Sequence, residues 1–186
     1  MPTIIEEMTT RRARRAFDEK PISPEVLDRV FNAAILAPSC NNKQPWRFLA
    51  CTEGAALESA RDVLLSGNYW ARKAPVIVIV TTRDNLDCEL NDDRHYALFD
   101  TGMACMNLML QATREGLYAH PMAGFDPAIA REKFGIEDET RVVTVIALGY
   151  PGDDTHLNEK HLASETSERT RKPVEEVFQL NEWTSL

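Results

Sequence analysis

The stretch RRARRAFDEKPISPEVLDRVFNAAILAPSCNNKQPWRF, residues 11–48, sets an arginine cluster, an amphipathic helix and a polar loop in direct succession. Arg11 and Arg15 are four residues apart, so a helical turn would bring them to one face with Arg12 beside Arg15. Several guanidinium forks together suit a phosphate monoester, which carries about two charges and accepts several hydrogen bonds. The same run also reads as a solvated basic helix end stabilised by the dipole.

The surroundings make the cluster informative. The chain has 186 residues and a formal net charge of −8, with a pI near 5.1. An acidic surface repels nucleic-acid and lipid phosphates, so neither nucleic acid nor membrane is expected as a partner. Four of the 21 basic residues nevertheless fall within residues 11–15. The four cysteines (Cys40, Cys51, Cys88, Cys105) show no CxxC spacing and predict free thiols, with neither a disulfide framework nor a zinc site. The longest apolar run, residues 74–80, is too short for a bilayer, and no charged-then-apolar segment opens the chain. These features predict a soluble cytoplasmic protein of one domain, residues 1–186, with no linker between halves.

Outward from the opening stretch, residues 3–15 read as a short helix with Ile4, Ile5 and Met8 on its apolar face. Ser23 is an N-cap, Pro24 the first helical position, and Val26, Leu27, Val30, Phe31 and Ala34 follow at helical spacing to about Leu36. A strand is expected over 46–51 and a helix over 55–65. PVIVIVT, residues 75–81, is a β-branched run that suits a strand covered on both faces by helices. Residues 83–93 read as an acidic surface loop. The segment 96–114 is apolar almost all round, which requires a central position or a subunit interface. Strands at 117–121 and 142–149 enclose a helix at 127–134. Residues 155–186 lack a core signal and read as an arm packed on a partner or as partly disordered.

Three further segments carry polar groups that could serve a ligand. PSCNNKQPW, residues 38–46, is either a polar turn or a loop presenting hydroxyl, thiol and amide groups. HPMAGFD, residues 120–126, is a strand-to-helix turn whose small residues would let backbone N–H groups approach a planar ring. RTRKP, residues 169–173, is surface charge or a second set of cations for the same anion. His120 reads as structural, because no orienting carboxylate is evident.

In this order, RRARRAF, AAILAPS, NNKQPWRF, PMAGFD and RTRKPVEEV resemble the nitroreductase family of flavoproteins, over residues 5–178. The resemblance implies an α+β fold with a mixed central sheet flanked by helices, in an intertwined homodimer holding FMN at its interface. It implies that Arg11, Arg12, Arg169 and Arg171 bind the cofactor phosphate, with Ala13 alongside, and that Arg15 reaches the pyrimidine end of the ring. Pro38, Ser39, Cys40, Asn42 and Gln44 would come from the other subunit, and Ala123 and Gly124 would offer backbone donors. Ala13 and Ala123 depart from the family, the first removing a hydroxyl and the second an acid that some members carry. Asn68, Arg72 and Lys73 do not align well enough to assign.

The implied function is an FMN-dependent NAD(P)H oxidoreductase reducing nitroaromatics, quinones or similar electrophiles by ping-pong hydride transfer through flavin N5. In that scheme no metal and no protein acid–base residue takes part. The alternatives are a family member with another redox reaction, such as reductive dehalogenation, or little reductase activity, and a non-flavin module using RRARR for nucleic acid.

Overall fold

A computed structural model of the chain describes residues 4–92 and 94–183. Thr3, Asp93 and residues 184–186, which the sequence reading assigns to the first helix, the acidic loop and the arm, lie outside the described residues.

The β-branched run forms β2, Val76–Arg83, whose first seven residues are buried. Strand alternation sends Ile77 and Ile79 to one face of the sheet and Val76, Val78 and Val80 to the other, so each face seeds its own core. Each such Val or Ile contributes about 1.5–3 kcal/mol by leaving water. β1 (Arg47–Cys51) and β4 (Thr140–Gly149) pair with β2, and β3 (Tyr118–Met122) pairs with β4. The order is β1-β2-β4-β3. All three pairings are antiparallel, so among the described residues the α+β architecture is as expected but the sheet is antiparallel rather than mixed. The reason is that β4 enters between β2 and β3 and runs against both.

Helices cover both faces. α3 (Gly54–Asp62) and α5 (Pro127–Phe134) pack with Ile77 and Ile79. α2 (Pro24–Ala34) and α4 (Ala97–Arg114) pack with the valines. α2 begins where the spacing places it: Ser23 Oγ accepts from Val26 N at 3.4 Å and Pro24 opens the first turn. α5 is capped at both ends. Asp126 accepts from Ala128 N at 2.8 Å and Ile129 N at 3.2 Å, and Gly135 closes the helix at φ 63°, where a Cβ would be strained.

α4 answers the all-round apolar pattern. One face, including Ala97, Ala104, Leu108 and Ala112, is buried. The opposite stripe of Phe99, Met103, Met106 and Leu110 is only partly covered, and Phe99 is 56% exposed. No helix among the described residues is long and apolar enough to cross a membrane.

Two expectations fail at the chain's start and in its loops. α1 spans only Glu6–Thr10, and Arg11 leaves it at φ −54°, ψ 128°, so the arginines lie on extended backbone and share no helical face. Two carbonyls of the short helix are drawn off by Thr9 and Thr10 hydroxyls and by Arg169, which weakens its continuation. The cysteines are not all free: Cys40 and Cys88 form a disulfide across 48 residues, while Cys51 and Cys105 remain buried thiols. Residues this far apart in sequence give no spacing signal.

Asp126→Ala removes both capping hydrogen bonds at the α5 N-terminus and is expected to cost about 1 kcal/mol. For a chain of this size that lowers the thermal midpoint by about 2–4 °C in a melt followed by circular dichroism.

Candidate functional site

The arginine segment is held in place from two sides. At its C-terminal end Phe17 is 1% exposed, stacked on Trp70 at 6.1 Å and set edge-on to Tyr118 at 6.3 Å. Asp18 N donates to Tyr150 O at 2.9 Å and Gly152 N to Ala16 O at 2.9 Å, stitching the segment to the chain after β4. A Cβ on Gly152 would lie 2.4 Å from the Asp18 nitrogen, so only glycine allows this approach.

On the other side stands α6, Glu159–Thr166, with the segment that follows it. Glu165, 7% exposed, accepts from Arg15 N at 2.9 Å through Oε2, and its carbonyl accepts from the Arg14 guanidinium. Arg12 donates to Ser167 O at 2.6 Å. Arg169 donates to Met8 O at 3.1 Å and to the Arg11 carbonyl.

These contacts bring Arg11, Arg12 and Arg169 together from the two ends of the sequence, and Arg171 lies close enough for its charge to act on Arg11. None of the four has a carboxylate partner among the described residues. Burial, and then the charges of Arg169, Arg171 and Arg12, pull the Arg11 guanidinium below its ordinary value. A cluster of like charges without a counter-ion favours an anion over a cation by its electrostatics. Ala13 is exposed beside it, its carbonyl 3.5 Å from the Arg15 guanidinium.

Arg15 points inward and lies over the Trp70 ring at 5.6 Å. Trp70 also contacts His120, ring centroids 4.5 Å apart. His120 Nδ1 is 2.8 Å from the Arg14 carbonyl, where the neutral ring's N–H donates. Burial pushes His120 down to about 4, with Arg15, Arg11 and His161 adding to the shift. It is a neutral strut for the arginine segment, in line with the structural reading.

At the end of β3, Gly124 O accepts from Leu65 N at 3.1 Å and from Asn68 Nδ2 at 2.8 Å, while its own N–H meets no protein acceptor among the described residues. A Cβ on Gly124 would approach Asn68 Nδ2 to 2.7 Å. Asn68 is thus part of this turn, whereas Arg72 faces Glu58 and Asp62 and is occupied.

The loop at residues 38–44 lies elsewhere. Cys40 N donates to Asp100 Oδ2 at 3.0 Å, and Gln44 N donates to Ser39 Oγ at 3.0 Å. Asn41, Asn42 and Gln44 all adopt positive φ, a cost that concentrates at sites with a role. Pro38, Ser39 and Cys40 border an apolar cleft of about 520 Å³ with Tyr96, Phe99 and Met103. Asp100 marks the N-terminal end of α4. Arg114, which pairs with Glu7 at 3.0 Å, marks the end near the arginine cluster. The two ends are about 20 Å apart at 1.5 Å per residue. One chain therefore gathers the arginines into one group and the 38–44 residues into another, and does not join them.

Sequence reasoning missed Trp70 and Glu165, and left Asn68 unassigned. Trp70 sits in a stretch without periodicity, and Glu165 lies in a charged helix where nothing marks one acid as buried.

The nitroreductase family model matches residues 8–68 and 62–150. A Methanothermobacter thermautotrophicus protein provisionally named NADH dehydrogenase/NAD(P)H nitroreductase is 28% identical over 156 residues, covering 81% of this chain and 78% of that protein. A solved structure described as an oxidoreductase containing FMN superposes with a TM-score of 0.88 at 29% identity, covering 98% of this chain and 93% of the other. A nitroreductase family protein from Clostridium difficile shares the fold, with a TM-score of 0.80 at 23% identity over 97% of this chain and 99% of the other. Matched over most of its length by the family model, the chain belongs to the nitroreductase family.

Proposed function

We propose that the chain is an FMN-dependent NAD(P)H oxidoreductase that reduces nitroaromatics, quinones or similar electrophiles, and that it works as a homodimer. The observation that carries this reading is the group of four guanidiniums without a counter-ion, since a phosphate monoester supplies the missing charge and acceptors. The relatives whose names include NAD(P)H nitroreductase and FMN support the same cofactor and reductant.

Arg11, Arg12, Arg169 and Arg171 would hold the phosphate, with Ala13 beside them. Arg15, fixed over Trp70, would place a positive charge at the pyrimidine end of the ring. Ala123 and Gly124 would offer backbone N–H groups, and the fixed Asn68 keeps that turn in shape. When bound, FMN supplies hydride chemistry at its N5, and the protein supplies position, charge and exclusion of water. His120 stays uncharged at neutral pH and serves as support rather than as a proton source.

The homodimer reading rests on the separation of the two residue groups. Pro38, Ser39, Cys40, Asn42 and Gln44 reach the arginines only if they come from a second copy. A two-fold pairing across the half-covered α4 stripe would lay the start of one α4 near the end of the other. The exposed Val174, Val177, Phe178, Leu180 and Trp183 suit a C-terminal arm, within residues 155–186, lying on that second copy.

Purified protein incubated with FMN and desalted is expected to keep flavin absorbance bands and to oxidise NADH or NADPH in the presence of menadione or nitrofurazone. Absence of flavin uptake would overturn the reading. Arg11→Ala removes one charge-assisted phosphate contact, about 1.5–3 kcal/mol, and is expected to weaken FMN binding roughly 10- to 150-fold in a fluorescence titration. Met106→Glu puts a charge on the α4 stripe. It is expected to convert a particle of twice 21.0 kDa into one of 21.0 kDa by light scattering. FMN affinity falls with it although every arginine is intact.

A further inference from the structure

We propose that the Cys40–Cys88 pair is a redox-modification site that latches the acceptor cleft, closed as the disulfide and opened as the dithiol. The proposal rests on the reading above in one respect: residues 38–44 stand at the flavin of the second copy, and the electron acceptor would reach that flavin through the cleft beside them.

The disulfide joins two segments that differ in how firmly they are held. Cys40 is well anchored: its N–H is bonded to the buried Asp100 carboxylate, and its neighbours are fixed by Ser39 Oγ. Cys88 belongs to the segment between β2 and α4. Among the described residues, the polar contacts of residues 85–92 and 94–95 stay local. Asp87 N donates to Asp84 O at 3.0 Å, Cys88 N to Asp87 Oδ1 at 2.7 Å and Arg94 Nε to Asp92 Oδ2 at 2.7 Å, while His95 faces Asp84 at 3.9 Å. Among the described residues the disulfide is therefore what fastens this segment to the 38–44 loop. The segment is also a wall of the cleft, through Leu90 and Arg94 opposite Phe99 and Met103. Cys40 itself lines the cleft.

The other two thiols differ in kind. Cys51 and Cys105 are buried, and burial pushes both up to about 11, which leaves almost no thiolate for exchange. Thiol–disulfide chemistry is thereby confined to one pair. A dithiol such as dithiothreitol attacks one sulfur, the S–S bond breaks, and the protein takes up two electrons and two protons to give two thiols. The dithiol is oxidised to its own disulfide. With the latch closed the wall is ordered before the acceptor arrives. With it open, the acceptor must order residues 84–92 on binding, and affinity falls.

The test compares oxidised protein, dithiothreitol-reduced protein and Cys88→Ser, all loaded with FMN. Alkylation under denaturing conditions is expected to find two thiols per chain before reduction and four after. Amide exchange in residues 84–92 is expected to quicken at least tenfold on reduction. The KM for nitrofurazone rises about fivefold with kcat unchanged, the loss of one pre-ordered contact. Cys88→Ser behaves as the reduced protein with or without dithiothreitol. Four thiols in protein held under oxidising buffer would overturn the proposal, as would equal exchange in the two forms. Equal KM values would overturn the gating. If the chain binds no flavin, thiol count and exchange still decide the latch, so its failure is separable from failure of the proposed function.

Discussion

The burial of Phe17 is the constraint on which the site depends. Its ring lies between Trp70 and Tyr118 in the core on the α3 and α5 side of the sheet. That burial fixes one end of a stretch whose other residues are mostly cationic and would otherwise separate. Gly149 and Gly152 leave room for it: a Cβ on Gly149 would come within 3.0 Å of the Phe17 ring, and one on Gly152 would meet the backbone at 2.4 Å. With Phe17 in place, Ala16 bonds to Gly152, and Arg15 N reaches the Glu165 carboxylate. A single aromatic anchor thus converts an extended strand of arginines into a shaped surface.

How far the sequence discloses this differs from element to element, for physical reasons. α2 and α5 are legible because their caps are local: Ser23-Pro24 and Asp126-Pro127 name the first turn by themselves. β2 is legible because five consecutive buried β-branched apolar residues, 76–80, leave no polar position to confuse the period. The arginine segment misleads, since straight-chain residues favour a helix and the tertiary anchors that extend it lie more than a hundred residues away. The disulfide has no local signature either, being set by the approach of two loops. The strand order required β4 to enter between β2 and β3, a choice made by packing and not by any strand's own pattern. The ordered motifs named the candidate site residues. Their grouping at opposite ends of α4 was not legible, because it depends on the path of the whole chain.

The grouping has an energetic consequence that joins fold to function. Two guanidiniums about 6 Å apart at an effective dielectric near 20 repel by roughly 3 kcal/mol. The displaced Arg11 equilibrium reflects such repulsion together with burial. The protein offsets it partly with groups that carry no net charge, the carbonyls of Met8, Arg11 and Ser167, and with the buried carboxylate of Glu165. Glu165 uses Oε2 on the Arg15 backbone, so it steadies the segment without neutralising the guanidiniums of the proposed anion site. A chain that paired each arginine with an acid would be more stable when empty and would bind a phosphate less well. The arrangement instead leaves repulsion to be relieved by a dianion. If a phosphate binds there as proposed, its binding and the stability of the N- and C-terminal segments are one linked equilibrium, in which whatever favours the folded clamp also favours the bound phosphate.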